Sequence, residues 1–196
     1  MKKLIVVVFI AFLSGCGSGS GLNISAEFQS TFDTFKSELA SRNVNIQINN
    51  LTIQMDQTLV GTPNTAVCTI AWGKAPVISV NPSIWSSLNI KDQEMVIFHE
   101  LGHCILGRIH NDTMIPTPFL GNNTEAGVLV TCLGITYKYN QLGVGYMATT
   151  IMHPCSAAAS VLYRLIVTDP VFQEQARKYY VDELINNRVV GFNSGF

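Results

Sequence analysis

Charged side chains are scarce: Asp, Glu, Lys and Arg make up 13% of the 196 residues, against 47% hydrophobic ones. The charges nearly balance, twelve basic against thirteen acidic, and they form no basic run. That excludes the usual electrostatic footprint of a nucleic-acid binder, which needs lysine and arginine gathered on one face. The apolar residues are not gathered into a bilayer-length run either. The stretch from Leu4 to Leu13 is too short to span a membrane. Repeats are absent, so a solenoid is not indicated. There is also no His-rich tract, which argues against metal storage or transport. Histidine itself is rare, with four in all: His99, His103, His110 and His153. The length suits one domain with a sizeable core.

The N-terminus has its own logic. Met1-Lys2-Lys3 is a short basic region, Leu4 to Leu13 is apolar, and Leu13-Ser14-Gly15-Cys16 follows at once. Small residues before a cysteine, directly after such a run, resemble the lipobox of bacterial lipoproteins. The resemblance implies cleavage before Cys16 and acylation of its sulfur and new amino group. Several acyl chains would anchor the protein stably to a membrane of the bacterial cell envelope. Gly17-Ser18-Gly19-Ser20-Gly21 reads as a flexible tether. Residues 1–15 are therefore expected to be a signal peptide, 16–21 the lipidated cysteine and tether, and 22–196 one folded domain. Without Lys2 and Lys3 the mature net charge is about −3.

Four cysteines remain: Cys68, Cys104, Cys132 and Cys155. An even number in an exported chain suggests disulfides, and three pairings are open. Cys68–Cys104 with Cys132–Cys155 is the favoured set, and buried free thiols are the alternative.

Along the chain, Phe28, Phe32, Phe35 and Leu39 recur at helical spacing, which predicts an amphipathic helix from Ile24 to Arg42. Val44, Ile46 and Ile48 alternate with polar residues, as do Leu51, Ile53 and Met55. With Asn49-Asn50 between them, these two runs predict a hairpin. Strands are predicted for Thr65 to Trp72 and Val77 to Val80, and a short helical turn for Ser83 to Leu88. A central, largely buried helix is predicted from Asp92 to Leu106, with Gly107 as its stop. Asn111 to Thr124 reads as a loop. Glu125 to Thr150 has no clean period and is left unassigned. Ser156 to Val167 and Val171 to Asn186 read as C-terminal helices.

The central helix carries the chemistry. It holds H-E-L-G-H, from His99 to His103. Residues four apart on a helix face the same way, so both imidazoles can reach one metal ion. Zinc takes nitrogen ligands at about 2 Å in tetrahedral geometry. Glu100 stands one step round the helix, beside such an ion. There its carboxylate can serve as general base and then general acid. This is the arrangement of the H-E-x-x-H zincins. A core helix with satisfied histidines is the bland alternative.

Two histidines leave the site a ligand short, and His110 is the candidate. On a continued helix it would lie about 10 Å further along the axis. It can bind only if the chain turns back, and Gly107 is where a turn is easiest. The chain here resembles the metzincin metallopeptidases, whose signature is H-E-x-x-H-x-x-G-x-x-H with a distant methionine turn. The second mark is Ile151-Met152-His153-Pro154. The resemblance implies an α+β fold, in which a twisted sheet packs on a central active-site helix and the C-terminal part is mainly helical. It also implies Zn2+ on His99, His103 and His110, Glu100 as the catalytic residue, and Met152 as a non-ligating support beneath the metal.

Two departures stand out. One extra residue separates His103 from Gly107, which leaves Asp112 and Glu125 as rival third ligands. Glu125 lies at a distance that resembles the gluzincin arrangement. Secondly, some metzincins place an oxyanion-stabilising tyrosine two residues after the methionine, where this chain has Pro154. His153 reads as part of the turn, and Arg108 as a structural salt-bridge donor. The expectation is a lipid-anchored zinc endopeptidase, a monomer acting on peptide or protein substrates and not on nucleic acid. An envelope binding or assembly lipoprotein with a structural metal is the alternative.

Overall fold

The computed structural model describes residues 21–111, 114–116, 128–132, 135–139, 146–148, 152 and 170–186. Its first part is a four-stranded mixed sheet with helices packed against it. β1 (Leu22–Ile24) leads into α1 (Ala26–Ser41), which returns the chain to β2 (Leu51–Met55). β3 (Ala66–Thr69) and β4 (Val77–Val80) complete the sheet in the order β1-β2-β4-β3. β2 runs parallel to both β1 and β4, whereas β3 pairs antiparallel with β4 and forms an edge. Then come α2 (Pro82–Trp85) and α3 (Ile90–Cys104).

The predicted stripe of α1 is the core of this half. Phe28, Phe32, Phe35 and Leu39 are all buried. Phe35 meets Phe98 of α3 edge to face at 5.3 Å, and Phe28 meets Trp85 at 5.0 Å. Aromatic pairs favour this geometry because the positive ring edge meets the negative face. Leu51 and Ile53 of β2 and Ile78 and Val80 of β4 are the buried members of their alternating strands and join the same cluster. Asn81 is fully buried at the end of β4. Its amide donates to the Leu59 and Asn64 carbonyls at 2.6 and 3.1 Å, and its oxygen caps α2 at the Ser83 amide.

The predicted hairpin is not formed. β2 has β1 on one side and β4 on the other, both parallel, so no edge is left for residues 44–48. Those residues carry no strand. Val44 is nevertheless buried, and Ile46 and Ile48 pack against the core. The alternation therefore reports burial and not a ladder. β1 is not predicted, Leu22 and Asn23 being unassigned and Ile24 placed in the helix, because three residues carry too little alternation to announce a strand.

α3 starts two residues before its expected start, Asp92, and ends two before its expected last residue, Leu106. Asn89 caps it, its side chain accepting from the amides of Lys91 and Asp92. Val96, Ile97, Phe98, Leu101 and Cys104 are buried, so the helix is enclosed on most of its circumference, as predicted.

Beyond residue 111 the described segments are β5 (Met114–Pro116), paired antiparallel with β8 (Tyr146–Ala148), the pair β6 (Val128–Cys132) and β7 (Ile135–Tyr139), and α4 (Pro170–Asn186). β5 falls inside the stretch read as a loop, and β6 to β8 fall in the stretch left unassigned. α4 packs on α1 and α3 through ion pairs. Arg177 contacts Glu38 at 2.7 Å and Glu94 at 2.6 Å, and Arg42 contacts Asp182 at 2.6 Å. Among the described residues no helix is long and apolar enough to cross a membrane. Cys16, Asp112, Glu125, His153, Pro154 and Cys155, with the predicted helix at residues 156–167, lie outside the described residues.

Candidate metal centre

His99 and His103 project from the same face of α3, one turn apart, as their spacing requires. The segment after His103 determines how His110 joins them. The amides of Ile105 and Leu106 both point at the Leu101 carbonyl, at 2.8 and 3.3 Å. That widens the last turn before the chain leaves the helix. Gly107 follows at φ 65°, in the left-handed region where a side chain would be strained. The Arg108 amide then reaches back to the Gly102 carbonyl at 2.9 Å and fixes the reversal.

The reversal brings the third histidine home. The Nε2 atoms of His99, His103 and His110 lie 3.1 to 3.2 Å from one another. His99 is buried, His103 is half-buried and His110 is exposed, so the group opens to solvent on one side. Three nitrogens about 3.3 Å apart are what a tetrahedral ion with bonds of about 2.0 Å requires. This triangle is close to that spacing, and the three side chains could hold a metal ion.

Protonation agrees with this arrangement. His103 Nδ1 lies 2.7 Å from the Arg108 carbonyl. A carbonyl only accepts, so Nδ1 carries the proton and Nε2 presents its lone pair. Burial pushes His103 below the usual imidazole pKa; the Arg108 carbonyl works against this shift and His110 adds to it. Burial lowers His110 as well. Both shifts favour the neutral form that ligates metal.

Glu100 is 7% exposed. Burial raises its carboxyl from 4.5 to about 7, opposed by a hydrogen bond from the Cys68 backbone amide of β3. The favoured Cys68–Cys104 disulfide is present and ties β3 to the last residue of α3. Sequence reasoning missed the Cys68 amide as a partner of Glu100. Backbone groups leave no mark in composition, and only the disulfide placed Cys68 near the motif.

Met152 is fully buried. A β-carbon added at Gly102 would lie 2.4 Å from the Met152 sulfur and 2.9 Å from Leu184 of α4. The methionine therefore packs on the backbone of α3 between its two histidines. Its carbonyl also accepts the Asn111 amide at 3.0 Å, which ties the residue after His110 to the same point. Arg108 is the salt-bridge donor expected. Its guanidinium meets the Glu183 carboxylate at 2.6 Å and donates to the Glu183 and Leu184 carbonyls at 3.0 Å near the end of α4. One residue thus orients His103 with its carbonyl and clamps α4 with its side chain.

Comparison of the chain with family models, with curated proteins and with solved structures returned no match. The site rests on its own geometry: an α+β fold carrying a group of three histidines able to hold a metal ion, beside a buried carboxylate.

Proposed function

We propose that the chain is a zinc-dependent peptidase of metzincin type, anchored through a lipidated Cys16 in the bacterial cell envelope. One observation carries the reading: three imidazole nitrogens converge, and two of their histidines share a helix with the buried Glu100. A site serving structure alone has no need of Glu100, because burying an ionisable carboxyl costs stability.

A bound zinc ion would supply Lewis acidity, lowering the pKa of water and polarising a peptide carbonyl. The protein does the rest. His99, His103 and His110 give three nitrogen ligands, and among the described residues no fourth joins the group, the count of catalytic and not closed structural sites. Arg108 holds the His103 tautomer. Glu100 takes the proton from the attacking water and later hands it to the leaving amine. Its pKa of about 7 in the metal-free fold keeps it near the working range of a general base, and an adjacent cation draws that value down. Met152 supports the ligand helix from below. In this reading His110 is the third ligand, drawn from the group of three histidines among the described residues, and Asp112 and Glu125, which lie outside those residues, are not required.

The test is hydrolysis of casein by zinc-loaded protein. Glu100→Ala abolishes cleavage and keeps the metal. Equal, zinc-dependent cleavage by wild type and variant would overturn the assignment. A metal-loaded wild type inert toward a broad peptide library would instead fit a binding lipoprotein with a structural metal.

A further inference from the structure

H-E-L-G-H-C carries two rows of side chains and not one. His99 and His103 are four apart and turn toward the metal position. Glu100 and Cys104 are also four apart, one step round the helix. Both members of this second row reach one residue. Cys104 bonds the Cys68 sulfur, and Glu100 accepts from the Cys68 amide. Cys68 sits in β3, a four-residue edge strand that pairs with β4 on one side. Short edge strands have one ladder to hold them and open more readily than central strands. The disulfide gives β3 a second, covalent hold at the residue whose amide Glu100 uses.

We propose that the Cys68–Cys104 disulfide is a positioning device for Glu100, fixing the Cys68 amide against the carboxylate so that the side chain is aimed at the metal position. Its kinetic consequence rests on the peptidase reading; its geometric one does not. A glutamate has three rotatable bonds, and a carboxylate held at one oxygen by a fixed donor keeps the other oxygen in a defined place. Misplacement of a reacting group by about 1 Å costs up to roughly a hundredfold in rate.

The test uses the full chain, wild type against a Cys68→Ala/Cys104→Ala variant, with two readouts. The first is hydrogen exchange of the residue 68 amide in the metal-free protein. Its protection falls at least tenfold on removal of the disulfide, and falls likewise in Glu100→Ala with the disulfide intact. The second is kinetics per bound metal in the folded population. The kcat falls roughly ten- to a hundredfold, with KM within twofold and metal stoichiometry unchanged. Unchanged protection at residue 68, or unchanged kcat per folded, metal-loaded molecule, overturns the proposal. A wild type without peptidase activity defeats the proposed function, and amide exchange then decides the positioning claim alone. If the double variant does not fold, phosphine reduction of the folded wild type followed by alkylation gives the same comparison with the same deciding outcomes.

Discussion

Replacing Glu100 with glutamine should stabilise the metal-free protein at pH 8 and leave it nearly unchanged at pH 4. Burial raises the folded carboxyl from 4.5 to about 7, so the folded chain binds this proton more tightly than the unfolded chain. The stability gained from that proton is fully present below the unfolded pKa of 4.5. It is lost as pH rises through the folded value of about 7. The difference corresponds to about 3 kcal/mol of destabilisation at pH 8. Glutamine has the same shape, carries no charge, and can still accept the Cys68 amide. Urea unfolding of both proteins in chelator measures this directly. The variant gains up to about 3 kcal/mol at pH 8 and close to nothing at pH 4. An equal difference at both pH values would refute the claim that a desolvated charge is held here.

Three other outcomes follow from the same contacts. Gly102→Ala puts a methyl group into Met152 and Leu184, and should cost about 1–3 kcal/mol; it should weaken metal binding, and unchanged affinity by chelator competition would contradict the packing role of Met152. Arg108→Ala leaves Glu183 without its half-buried cation, costing about 3 kcal/mol in thermal or urea unfolding; a loss below about 0.5 kcal/mol would place the pair among weak surface bridges. Because burial lowers both His103 and His110, acid should release the metal below the ordinary imidazole value of 6.5. Release centred at or above 6.5 in a metal-sensitive dye assay would count against buried, neutral ligands.

The helical elements were legible because their signals are local and repeated. The stripe from Phe28 to Leu39 fixes the buried face of α1 whatever it packs against, and the near-continuous burial of α3 follows from apolar residues all round it. The histidine pair on α3 was legible for the same reason, since four-residue spacing alone aligns His99 with His103. The Cys68–Cys104 pairing was reached by preference among three options, and the structure bears it out. The sheet was less legible. Strand partners are chosen across distance, and the alternation of residues 44–48 is the same whether the backbone joins a ladder or only buries its side chains. The exit of α3 was the hardest point. The extra residue after His103 raised doubt about His110, and the exit has two amides sharing the Leu101 carbonyl. Sequence spacing does not report that choice.

The central claim is that His99, His103 and His110 together hold a metal beside Glu100. X-ray absorption on the zinc-loaded protein tests it most directly. The account predicts three imidazole nitrogens and one oxygen ligand, all at about 2.0–2.1 Å, with one imidazole lost in His110→Ala and none in Glu100→Gln. A spectrum unchanged by His110→Ala, or a sulfur ligand at about 2.3 Å, would contradict it.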